Sequence, residues 1–532
     1  MSGIGGIELV FLFLLLFIVA FGLLARRLET PYPIVMVAGG LLIGLVPGIP
    51  QITLSPDLIF LVVLPPLLYA AAWNTSWRDF RYNFVSIFLL AFGLVGFTVL
   101  GVAWLAPRIF DAFDWRLGFV LGAVVAPTDA IAASSIARRV GLPSQVVDIL
   151  EGESLINDAT GLLALQFATG IVVQKHIPAI STGILTLVWL TAGGIGLGVL
   201  AGLVVDRIER HINDGPIEIA LSILTPYAVY LAAQEVHASG VLAVVACGLL
   251  VSRRSANFFS PAVRIQAYAV WESLNFLLNG LVFVLIGLQL PAIRTSIRGY
   301  TFWTLLMDGV IFSVLLILLR LIWVFPGAGI AWLTRTRILH HREAWPGLRQ
   351  IFITGWTGMR GVVSLAAAIA LPAVLADGSP FPHRNLIVFL TFCAVCVTLV
   401  LQGVTLPPLI RALGLAGSAG PKREEQEARR IVIEAAVSHL QSAQEKDSEA
   451  SAAPYTELIR HYHQLQASLQ PSDSRPEDLA DRERFLHLFL EALHVERETA
   501  IRLRDESRIN DEVLRHIERE LDLTESRVTL SG

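Results

Sequence analysis

Over roughly its first 415 residues the chain alternates long apolar runs with short polar clusters that carry most of the local charge. A helix crosses a bilayer core with about 20 apolar residues. With polar clusters, Pro and Gly read as punctuation, the pattern predicts thirteen spans near residues 7–25, 32–49, 57–73, 84–106, 117–138, 145–174, 181–206, 217–235, 237–252, 265–290, 301–327, 350–376 and 385–413. From residue 416 the pattern changes to charged helix, with Ile509, Val513, Ile517 and Leu521 at four-residue spacing between acids and arginines. The expected fold is an all-α polytopic membrane protein: a membrane domain over 1–415 and a helical tail over 416–532 that packs one face on a neighbour.

Composition points the same way. Hydrophobic residues make up 54% of the 532, charged residues 16%, and mean hydropathy is +0.64, whereas soluble domains carry roughly 25% charged residues. Residues 421–532 hold 16 of the 40 Lys and Arg and 24 of the 44 Asp and Glu, so the tail is acidic. Alternate connections carry Arg26, Arg27, Arg78, Arg81, Arg138, Arg139, Arg207, Arg210, Arg253, Arg254, Arg264, Arg335, Arg337, Arg342 and Arg349; the other set carries Arg108, Arg116, Lys175, Arg294, Arg298 and Arg384. Excess positive charge marks the cytoplasmic side, which predicts an outside N-terminus and a cytoplasmic tail. The first apolar run precedes its basic pair and reads as a retained span, not a signal peptide.

Several function classes find no support. Cys247, Cys393 and Cys396 all lie in apolar spans, which suits small core residues and not a disulfide framework or metal site. No Walker loop, dinucleotide fingerprint or nucleophile elbow is present, so no cofactor, nucleic-acid partner or ATP-driven step is expected. A membrane-embedded enzyme would need a nucleophile with a base, and Ser154 has no nearby His in sequence. A channel would build its filter from rings or carbonyl loops around an axis; here the polar residues are concentrated in two broken helices and one acidic helix.

Those three helices carry the candidate chemistry. Residues 153–158 read Glu-Ser-Leu-Ile-Asn-Asp inside an apolar span, and ionisable groups at such depth are costly and so functional suspects. Counted from Pro143, Asp158 sits on the order of 22 Å along the helix at 1.5 Å per residue, near the bilayer midplane. The fifth span is interrupted by Pro127, followed by Thr128 and Asp129, and the twelfth by Gly355, Gly358 and Gly361 around Thr357 and Arg360. Proline frees backbone carbonyls, and clustered glycines weaken a helix centre. Seven spans separate the breaks, which predicts inverted repeats formed by spans 1–6 and 8–13, with crossed discontinuous helices. Asp129 and Arg360 have the right signs to compensate half-helix ends.

Ser154 and Asp158 share one helix face, and Glu153 and Asn157 the adjacent strip. A Ser hydroxyl, an Asp carboxylate and carbonyls freed at Thr128 would suit a hard monovalent cation, and Asp158 could hold that cation or a proton. Competition for one carboxylate is a sufficient mechanism for antiport. Glu153 needs a partner, and both Arg320, inside an apolar run, and Arg360 are available. Glu272 and Asp308 read as lining or structural acids.

At this point the chain resembles the monovalent cation:proton antiporter family, in particular its bacterial NhaP-type sodium/proton exchangers. The residues that carry the resemblance are Leu64-Pro65-Pro66-Leu67-Leu68, Ala126-Pro127-Thr128-Asp129-Ala130, Glu153-Ser154-Leu155-Ile156-Asn157-Asp158, His237-Ala238-Ser239-Gly240 and Gly358-Met359-Arg360-Gly361. The resemblance implies a homodimer in the bacterial inner membrane, with a core of residues about 84–174 and 301–413 that moves as an elevator. It implies a sodium, lithium or potassium ion at Asp158, Asp129 and Ser154, completed by the Thr128 carbonyl. Asn157 is then an uncharged partner, Glu153 pairs with Arg320, and a role in pH homeostasis follows. Where an electrogenic branch has a second Asp, this chain has Asn157, which implies electroneutral exchange. It departs from relatives with an acid after the Pro-Pro motif, for it reads Tyr69-Ala70-Ala71-Ala72-Trp73.

Overall fold

The computed structural model describes residues 4–46, 54–174, 180–212, 214–254, 261–297, 301–340, 345–375, 378–417, 420–446, 453–469, 476–506, 517 and 521–525. Among these the regular elements are all helices, and one isolated bridge joins Val374 and Pro380. The chain divides into two compact units, Met1–Ser418 and Ala419–Gly532.

In the first unit, seven described helices are individually long and apolar enough to cross a membrane. An eighth span results if the helices Trp115–Val125 (α1) and Ala130–Val140 (α2), bent by 43° at a short break, are taken together. The bend has a local cause, since Pro127 supplies no N–H and the chain leaves the helix there. It re-enters at Asp129, whose Oδ1 accepts the Ile131 N–H at 2.8 Å as an N-cap. Asp114 caps α1 in the same way through Leu117, and α2 stops at Gly141, which takes the left-handed conformation of a C-cap. The next helix, α3 (Ser144–Gln174), is continuous through the acidic motif.

A second interruption follows the long helix α4 (Phe302–Leu333). The chain forms α5 (Leu348–Trp356), leaves the helix from Thr357 to Gly361, and resumes as α6 (Val362–Ile369). Thr357 Oγ1 donates back to the carbonyls of Ile353 and Thr354 at 3.0 and 3.1 Å, the second an acceptor near the end of the broken helix. Gly358 and Gly361 permit close approach: a Cβ on Gly358 would collide with the Arg320 side chain, and one on Gly361 would lie 2.5 Å from Asp129 Oδ2. π-helical turns add further irregularity at Leu58–Val63, just before Pro65 and Pro66, and at Thr398–Gln402.

In the second unit the described helices are Gly420–Lys446, Ala453–Leu469 and Pro476–Asp505. Arg497 reaches Asp522 at 2.7 Å and Glu525 at 2.9 Å, which fastens the last of these to the segment 521–525. Of the expected apolar stripe, Leu521 is buried and Ile517 half-buried, while Ile509 and Val513 lie outside the described residues. So do Lys175, Arg298 and Arg342 among the loop charges.

Candidate functional site

The two helix interruptions meet. The Asp129 N–H donates to the Met359 carbonyl at 2.8 Å, and Ser364 Oγ reaches the Pro127 carbonyl at 3.4 Å. Arg360, 2% exposed, donates through Nε to the Val125 carbonyl at 2.7 Å and through its terminal nitrogen to the Gly358 carbonyl at 2.5 Å. Its backbone N–H is taken by Thr398 Oγ1 at 3.1 Å, at the start of a π-helical turn. The guanidinium therefore sits at the carbonyl end of α1, where the helix dipole is negative, and Asp129 at the N-terminus of α2, where it is positive.

Helix α3 packs its motif onto the first break, and Thr128 is the point of attachment. Ser154 Oγ donates to the Thr128 carbonyl at 2.9 Å and accepts the Ala130 N–H at 3.3 Å. Asn157 Nδ2 donates to Thr128 Oγ1 at 2.5 Å and lies 3.5 Å from its carbonyl. Thr128 Oγ1 in turn donates to Glu153 Oε1 at 3.0 Å. Positions 153, 154 and 157 can all reach one residue because they are neighbours on one side of a helix.

Glu153 is bridged by Arg320, at 2.5 Å to Oε1 and 2.7 Å to Oε2, with both side chains 1% exposed. Arg320 also donates to the Thr354 carbonyl at 3.2 Å, so the pair ties α3 to α4 and α5. Arg360 spends its donors on backbone carbonyls, which leaves Arg320 as the partner of Glu153.

Asp158 sits differently from its neighbours. It is 8% exposed and lines a cavity of about 490 Å³ together with Thr128, Asp129, Ser154 and Ser364. Among the described residues its carboxylate accepts no hydrogen bond, whereas the Asp129 carboxylate is occupied as a cap. Two carboxylates, a hydroxyl and a backbone break around one cavity form an oxygen-rich, net-negative lining suited to a hard cation. Glu153, Asn157, Arg320 and Arg360 stand behind this wall and do not line the cavity. Asn157, read from sequence with the ion-binding set as its uncharged partner, faces Thr128 because its strip of α3 packs against the broken helix.

Other lining residues lay outside every sequence motif. Asn275 and Asn279, four apart on the helix Pro261–Leu288, and Asn74 at the end of Leu64–Asn74, border the same cavity. So does the Arg138–Glu151 ion pair at 2.8 Å. The one signal for the asparagines was two amides on one face of an apolar helix. Glu272 is exposed and lines a second cavity of about 470 Å³, and Asp308 is half-buried on α4. All three cysteines are free.

Comparison with known proteins gives consistent matches along the membrane unit. The sequence profile described as "Sodium/hydrogen exchanger, transmembrane" matches residues 12–412. An uncharacterised Na(+)/H(+) exchanger of Mycobacterium tuberculosis is 33% identical over 522 residues, covering 94% of this chain and 92% of that protein. A Bacillus pumilus protein named as a sodium, potassium, lithium and rubidium/H(+) antiporter is 32% identical over 453 residues, covering 83% and 66%. The solved structure of the sodium proton antiporter MjNhaP1 from Methanocaldococcus jannaschii aligns with a TM-score of 0.59 at 18% identity, over 76% of this chain and 99% of that one, which is a likeness of fold.

Proposed function

The chain belongs to the sodium/hydrogen exchanger family, and from that premise we propose that it is a secondary active antiporter exchanging one monovalent cation for one proton through competition at Asp158. The observation that carries this reading is the state of that carboxylate, buried in an oxygen-lined cavity with no donor among the described residues. A group that must alternate between a proton and a cation cannot be committed to a permanent partner. Asp129, Ser154 and the Thr128 carbonyl complete the coordination, while Glu153, Arg320 and Arg360 hold the two breaks in register. Asn157 adds no charge, so the loaded carrier has the same charge with either ion and exchange is electroneutral. Sodium is the first candidate, with lithium and potassium as alternatives; the Bacillus pumilus relative, named for sodium, potassium, lithium and rubidium, supports a broad monovalent class.

The finer architecture belongs to the same reading. Thirteen spans form two inverted repeats, the core of residues about 84–174 and 301–413 moves by alternating access, and the protein is a homodimer of the bacterial inner membrane serving pH homeostasis. The N-terminus lies outside and the tail is cytoplasmic, which the arginine-rich connections support; a regulatory role for the tail is part of the same proposal. Cation-driven proton flux in proteoliposomes, compared between wild type and Asp158→Asn, tests the mechanism. Loss of flux for every cation in a well-folded Asp158→Asn protein is expected; near-normal flux would sink it.

A further inference from the structure

Four residues, Ala70, Asn74, Asn275 and Asn279, line both the cavity that holds Asp158 and the neighbouring cavity of about 470 Å³. They form the junction between the two, so the passage from one to the other is bordered by three amide side chains and one methyl group. The second cavity continues along the same helix to Glu272, Tyr268 and Arg264. Glu272, Asn275 and Asn279 fall at helical spacings of three and four, which puts them on one face of Pro261–Leu288. That face is a polar stripe on an otherwise apolar helix, and it runs from an exposed carboxylate to the aspartate cavity. Asn279 is 6% exposed, and Asn275 Oδ1 is buried with no hydrogen-bond donor among the described residues. Buried amide oxygens ordinarily find a donor, so an orphan bordering a polar passage asks for a visiting partner.

From this arrangement we propose that Asn74, Asn275 and Asn279 form a neutral cation-handling neck, through which the transported ion passes and exchanges part of its water for amide oxygens before it reaches Asp158. The proposal rests on the antiport reading and adds to it a second station that discriminates among cations. Amide oxygens are hard neutral donors: they replace water around a small monovalent cation without holding it as a carboxylate would. They also carry no titrating proton, so the neck acts on the cation alone and competition with protons stays at Asp158. Ala70 leaves room at the junction, and at the outer end Glu272 and Arg264 line the same cavity with opposite charges, so the approach to the neck carries no net charge from them. The charge of the passage thus rises inward from neutral amides to two aspartates.

The test uses the full chain in proteoliposomes, with proton flux driven separately by lithium, sodium and potassium, for wild type, Asn275→Ala, Asn279→Ala and the double variant. The double variant is expected to raise the cation KM by about tenfold, the low end of what loss of an ion's supporting shell costs. Unequal effects on the three cations are expected too, with the pH midpoint at saturating cation unchanged. Thermal melting in detergent runs alongside, and Asn275→Ser, which keeps a small oxygen, is expected to recover part of the lost affinity. The neck is refuted if the double variant keeps the wild-type KM and cation ratios. It is equally refuted if all cations lose flux in step with a lowered melting temperature and Asn275→Ser restores nothing. Wild-type flux abolished by Asp158→Asn, alongside unchanged asparagine variants, would reject the neck and keep the antiporter; wild type without cation-driven flux would reject both.

Discussion

Neutralising Glu153 alone would leave Arg320 charged, 1% exposed and without its carboxylate. The cost follows from that geometry. Two short contacts, 2.5 and 2.7 Å, join the pair; beyond them the Thr128 hydroxyl donates to Glu153 and the Thr354 carbonyl accepts from Arg320. Removing one member of such a buried pair costs about 3–5 kcal/mol, because the stranded charge keeps its desolvation penalty and loses its compensation. At about 1.4 kcal/mol per factor of ten, the ratio of folded to unfolded protein falls by roughly two to nearly four decades. Neutralising both partners, as in Glu153→Gln with Arg320→Met, removes the penalty with the attraction, so the double variant should be more stable than either single one. Thermal unfolding in detergent, followed by monodispersity or tryptophan emission, gives the three differences needed for a double-mutant cycle. Additive losses, with the double variant the least stable of the set, would show that the bridge contributes nothing as a pair and refute the reasoning. A functional signature should accompany the stability change. Glu153 accepts from Thr128 Oγ1, so its loss loosens the residue whose carbonyl is proposed to complete the ion site, and on that reading cation affinity should fall with it.

Two further outcomes follow from the site. Gly361→Ala places a Cβ 2.5 Å from Asp129 Oδ2 and 2.6 Å from its Cβ; overpacking of this kind costs about 1–3 kcal/mol and should displace the α2 cap, raising the cation KM, whereas wild-type flux and melting would show that the crossing tolerates the methyl. Electroneutral exchange should be insensitive to an imposed diffusion potential, provided the ion that sets the potential is not itself transported. A potential contributes about 2.3 kcal/mol per net charge per 100 mV, so a balance point that shifts with voltage would bring in a second titrating group, with Glu153 and Asp129 the first to test.

Much of the fold was written locally. Apolar run length specified the long helices, Pro127 specified where α1 stops, and Asp129, two residues on, is the residue type that starts a helix. The glycines around Arg360 marked the second break for the same reason: conformational preferences belong to single residues and their immediate neighbours. Spacing alone also put Ser154 and Asp158 on one face of α3 and Glu153 and Asn157 on the adjacent strip. What spacing could not decide was which residue from a distant element faces them. The sequence favoured Arg320 as the partner of Glu153 but left Arg360 as a rival, because both are lone cations in apolar surroundings. Tertiary packing separated them: α4 brings Arg320 to Glu153, while the crossing of the breaks turns Arg360 onto the carbonyls of Val125 and Gly358. The same packing moved Asn157 behind the cavity wall and brought Asn74, Asn275 and Asn279 to its mouth, residues about 200 positions apart in the chain. The sequence by itself thus determined where helices run, where they break and which types of side chain lie at membrane depth. The direction each buried polar group faces was decided only by the tertiary structure, since a pairing energy depends on distances between elements that no local preference encodes.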